Sequence, residues 1–146
     1  MTLLQSVLFM MFLSFMIQYY VMSVIMTNSL TNIRMSLGKI YVSGIMALLM
    51  GIVEVAMNDY YMKMISVKYY IILFILLGII YYMYKTQKYI YDRDYLNEMI
   101  EHHSMALVTS GEILKKTSDP NVKILASKII NTQEEEIQYM KSLLDK

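Results

Sequence analysis

Asp94-Tyr-Leu-Asn-Glu-Met99-Ile-Glu-His102-His103-Ser-Met-Ala106-Leu107 carries the only two histidines of the chain. From 90 to 116 the apolar residues fall at 91, 95/96, 99/100, 103, 106/107, 110 and 113/114, the period of an amphipathic helix. At about 100° per residue, Met99, His103, Ala106 and Ser110 take the centre of its buried stripe and His102 its edge. The chain has 16 methionines and no cysteine. Imidazole beside thioether, without thiolate, is a ligand set suited to copper.

The segment after this helix breaks at Thr117-Ser118-Asp119-Pro120. Asp119 suits an N-cap, and Pro120 suits the first helical position, where no backbone donor is needed. A second helix is therefore expected over about 120–144, with Val122, Leu125, Ala126, Ile129, Ile130, Ile137, Met140, Leu143 and Leu144 on its buried side. A short connection between two amphipathic helices makes an antiparallel hairpin. Two helices bury too little to stand alone, so a second copy or the end of the preceding membrane segment is expected to pack on them. Gln133, Glu136 and Met140 lie within about 60° of the second stripe's centre. With the turn near 118, residues 102–103 and 133–136 are about equally far from it and should meet.

Upstream, the character of the chain changes. Residues 1–84 hold six charged side chains (Arg34, Lys39, Glu54, Asp59, Lys63 and Lys68), whereas 85–146 hold nineteen. The division predicts a membrane domain over 1–84 and a water-facing domain over 85–146. Apolar runs at about 3–27, 40–57 and 69–84 predict three spans of a ~30 Å hydrocarbon core. Lys68 and Lys85 bracket the third and can snorkel, and tyrosines cluster where spans should end. A signal peptide is disfavoured, because there is no basic n-region and more spans follow. Basic residues at 34, 39, 85, 88 and 93 share one side, against Lys63 and Lys68 on the other, which favours a cytoplasmic hairpin. Within the second span Met46, Met50, Glu54 and Met57 share a helix face. That face is a candidate thioether/carboxylate path for a soft metal, although methionine in a membrane helix is more often adaptable filler.

The all-α reading excludes several functions. Net charge is close to zero in both halves, so no basic surface argues for nucleic acid. The five glycines are scattered and form no phosphate loop, and there is no nucleophile elbow or hydrolase carboxylate pair. Lipid, a metal ion and a second copy are the expected partners. The buried polar groups admit two explanations, since each is costly unless paired or metal-bound. In one, Gln133 and Glu136 hydrogen-bond the histidines and set helix register, giving a structural or oligomerisation module. In the other, His102 and His103 ligate a metal with Met99 or Met140, and Gln133 and Glu136 orient the imidazoles from behind. Adjacent helical residues project about 100° apart, so a site shared between copies, or two neighbouring ions, suits two histidines better than one ion on one helix.

The pattern Met99-Ile-x-His102-His103-Ser-x-Ala106, followed by Ile129-Ile130-x-x-Gln133-x-x-Glu136-Ile137-x-x-Met140, resembles the domain of unknown function 305 family. The three-span membrane half is similar to a subgroup of it. The chain departs from the usual pattern at Glu101, where many members have proline, and at Thr109, where many have methionine. The resemblance implies a ferritin-like helical fold, and for some members copper binding and tolerance through His and Met. The positions it carries over are His102, His103, Met99, Gln133, Glu136 and Met140. Di-metal ferritin-type sites need Glu-x-x-His on two helices. Here only Glu98 precedes His102, by four residues, and the second helix has no histidine, so a redox enzyme is the weaker reading. The expectation is a membrane-anchored copper-binding protein serving homeostasis or tolerance.

Overall fold

The computed structural model describes residues 2–145; the outermost positions of the two predicted domains, 1 and 146, lie outside the described residues. The described residues form helices joined by short connectors: α1 (Leu3–Met26), α2 (Leu37–Met62), α3 (Val67–Lys85), α4 (Asp92–Lys116) and α5 (Pro120–Leu144). They fall into two compact units, 2–21 with 37–89 and 22–36 with 90–145. The second unit thus takes in a stretch of 22–36 that the division at residue 84 assigned to the membrane half.

In the first unit, α2 packs against both α1 and α3 around Val7, Leu48, Val55 and Leu73. All three of its helices are long and apolar enough to cross a membrane. Helix α2 extends past the 40–57 run expected for it, because its charged ends have partners. The Lys39 ammonium lies 4.7 Å from the centroid of the Tyr19 ring. Asp59 accepts the backbone N–H and hydroxyl of Ser66 at 2.7 and 2.6 Å. Lys63, at φ 51°, then ends the helix, with the Met64 N–H reaching back to the Asp59 carbonyl. Gly51 admits Met11 from α1, since a β-carbon there would lie 2.9 Å from the Met11 sulfur. Close approach through small residues is how membrane helices gain packing contacts that lipid cannot supply. A π-helical turn at Ile17–Val21 interrupts α1. Such a turn offsets the register of the residues beyond it.

In the second unit, α4 and α5 form the antiparallel hairpin. Asp92 and Asp94 in the first turn of α4, and Lys115 and Lys116 in its last, oppose the helix dipole favourably. Asp119 caps α5 by accepting the Asn121 N–H at 2.8 Å, with Pro120 opening the helix. Ile100, Leu107, Ile137 and Met140 make the core, flanked by Leu96, Met99, Ile130 and Leu144. The third layer comes from the end of α1 and the connector after it, rather than from the end of the third span expected there, and Ser23, Asn32 and Ser36 are buried in it. This extra partner corrects the stripe expected on α4. The buried line runs through Ile100, Ser104, Leu107 and Ser110, about one residue round from Met99, His103 and Ala106, which are half-buried. A helix covered on two sides centres its buried sector between them. On α5 the buried positions are Ala126, Ile137 and Met140, whereas Leu125, expected on the buried side, is 58% exposed.

Candidate functional site

One turn of α4 carries the site. His103 points across the hairpin, and its Nε2 lies 2.8 Å from Oε2 of Glu136 on α5. Gln133 donates to the same oxygen at 3.4 Å. The His103 side chain is 17% exposed and that of Glu136 48%. An ionised carboxylate only accepts, so Nε2 of a neutral ring must carry the hydrogen. That leaves the lone pair on Nδ1, which is buried without a hydrogen-bond partner. Tautomer selection by a carboxylate is the arrangement that readies a histidine for a metal.

His102 does not join this group. It is exposed, with its ring 6.0 Å from that of His103 and inclined by 66°. The placement at the edge of the buried stripe is therefore corrected: rotation of the stripe carries position 102 outward. Met99 and Met140 both pack in the hairpin core, Met140 buried and Met99 half-buried. Among the described residues no three His, Asp or Glu side chains sit together as a metal cluster. In the second span Met46 and Met57 are exposed, while Met50 and Glu54 are half-buried. Glu54 accepts the Ser6 hydroxyl of α1, so its carboxylate bridges two helices.

A second polar network, not anticipated from the sequence, flanks the histidines. Glu101 accepts the Ser23 hydroxyl at 2.6 Å and the Arg34 N–H at 2.9 Å. Ser104, fully buried, accepts the Asn28 N–H at 2.9 Å and donates to the Asn28 side-chain oxygen at 2.5 Å. Asn32 donates to that same oxygen at 2.8 Å. The residues either side of His102–His103 thus tie the 27–36 connector to α4. Glu101, where the resemblance led us to expect proline, supplies a side-chain acceptor that proline lacks. The available signal was a serine on the apolar stripe of α4 together with two asparagines four apart upstream.

Glu98, one turn before His102, is half-buried. Burial first, then the carboxylates of Asp94 and Glu101, push its carboxyl above the ordinary value. A carboxyl with a raised folded-state value holds its proton more tightly folded than unfolded. Its contribution is therefore present in acid and lost as pH rises through that folded value. Glu98→Gln is expected to raise the thermal midpoint at pH 7, with the gain vanishing below the usual carboxylate range. Circular dichroism melts across pH measure it, and a gain independent of pH would contradict the electrostatic origin.

The architecture defines a helical protein with three helices able to cross a membrane and a His–Glu hairpin module. Residues 83–144 match the family described as Domain of unknown function (DUF305). An uncharacterized protein of Acanthamoeba polyphaga mimivirus is 36% identical over 139 residues, covering 95% of this chain and 91% of that protein. The chain belongs to the DUF305 family. No solved structure matches it.

Proposed function

We propose that the chain is a membrane-anchored metal-binding protein that takes copper in its monovalent state, for metal homeostasis or tolerance. The observation carrying this reading is the buried, unpartnered Nδ1 of His103, whose other nitrogen is held by Glu136. A buried polar atom without a partner calls for an explanation, and an absent ion is one. Monovalent copper is soft, and the thioethers of Met99 and Met140 in the hairpin core are of the kind it prefers. Exposed His102 acts in this reading as an outer ligand that receives the ion, or as a ligand donated between copies. Gln133 and Glu136 orient the His103 ring, and the Met46, Met50, Glu54 and Met57 face is a candidate membrane-side path. The hairpin is taken as a ferritin-like unit facing the cytoplasm, with lipid and a second copy as partners.

Cu(I) titration of the full chain in detergent, against a chromophoric chelator, tests the site. His103→Ala is expected to weaken binding at least tenfold, and Glu136→Ala about 10–100-fold as an orienting partner. His102→Ala should cost less than about threefold, since an exposed ligand contributes little beyond capture. Equal affinity in the parent and His103→Ala would rule the site out. Acid should release the metal, because a proton on Nδ1 occupies the ligating lone pair.

The 2.8 Å His103–Glu136 contact favours a second reading, a hairpin whose polar clamp sets helix register without metal. It predicts that His103→Ala destabilises the hairpin while metal content stays at background in both proteins.

A further inference from the structure

We propose that the outward face of α5 is a self-complementary interface, on which a second copy of this chain lies antiparallel about a twofold axis near Thr132. Leu125, Lys128, Thr132, Glu135 and Tyr139 follow one another at spacings of three, four, three and four, which keeps them on one stripe of a helix. All five are exposed, on the side away from the core residues Ala126, Ile137 and Met140. The stripe has large apolar groups at its ends: Leu125 is 58% exposed, Ile124 beside it 68%, and Tyr139 65%. Between them lie a cation, a threonine and an anion.

That order reads the same against its own reverse. An antiparallel copy sets Leu125 against Tyr139 of the partner subunit and Lys128 against Glu135 of the partner subunit, and symmetry makes each contact twice. A parallel copy would set Lys128 on Lys128 and Glu135 on Glu135, which repel. A lipid surface fits less well. The apolar ends are about 21 Å apart along the helix, and the carboxylates between them would be repelled by anionic headgroups. The interface is built from groups the metal reading does not use and stands whether or not metal binds.

The chain has no cysteine, so a single introduced thiol reports on the axis directly. In the full chain in detergent, Thr132→Cys should form a disulfide-linked dimer under mild oxidation. Ser127→Cys, exposed on another side of α5, should not. In sedimentation equilibrium, Lys128→Glu and Glu135→Lys should each weaken dimerisation at least tenfold, about 1.4 kcal/mol or more. The two together should restore it to within about threefold of the parent, since the charges are exchanged rather than lost. Raised salt should weaken the parent dimer, because the pairs lie at an exposed surface. These positions are exposed, so helical content should be unchanged throughout. A monomeric parent, no crosslink at position 132, or a double variant no better than either single would each overturn the proposal.

Discussion

Ile100→Ala is expected to lower the stability of the hairpin by about 2–5 kcal/mol, the range for truncating a fully buried aliphatic side chain to leave a cavity. Ile100 is completely buried and touches the core formed with Leu107, Ile137 and Met140. It stands on α4 between the two surfaces that helix covers, so little around it is free to collapse into the gap. Hydrogen exchange across α4 and α5 measures the change, which should appear as a loss of protection in both helices together, because they open as one cooperative unit. Ile100→Val should cost only about 0.5–1.5 kcal/mol. A loss under about 1 kcal/mol for Ile100→Ala would mean the hairpin packs on another line.

Glu101→Ala should release the connector between α1 and α2 while leaving the hairpin folded. The Glu101 carboxylate accepts from Ser23 and from the Arg34 N–H, and hydrogen bonds to a charged group contribute about 1.5–3 kcal/mol each. Removing the acceptor leaves both donors to find water at a half-buried site. Amide exchange over 27–36 should then accelerate about 10–100-fold. His103→Ala is the matched control, since His103 reaches the other way, to Glu136. Connector exchange unchanged by Glu101→Ala, or accelerated equally by His103→Ala, would refute the separate roles given to these neighbours.

The helices, their order and the hairpin's turn were legible in the chain itself. Apolar runs long enough to cross a bilayer, the 3.6-residue period after residue 90 and the Asp119–Pro120 start signal are local properties, and each needs only a few consecutive side chains to declare itself. The meeting of His103 with Glu136 was legible for a related reason: in a tight antiparallel hairpin, distance from the turn sets which residues face each other. The pattern Met99-Ile-x-His102-His103 with Gln133-x-x-Glu136 likewise pointed to the family.

What needed the tertiary structure was every feature that depends on a distant segment. Periodicity assigns a helix one buried stripe, but α4 is covered on two sides, and the second cover comes from residues some seventy positions earlier. That moved the stripe by about one residue, turned His102 out to solvent and buried Ser104. Asn28, Asn32 and Glu101 looked like ordinary loop and surface residues until the hydrogen bonds joining them were visible. The sequence by itself determined the elements and their near neighbours, because those follow from short-range sterics and hydrophobic spacing. Only the fold decided which polar groups were buried together, because that depends on how the chain returns on itself.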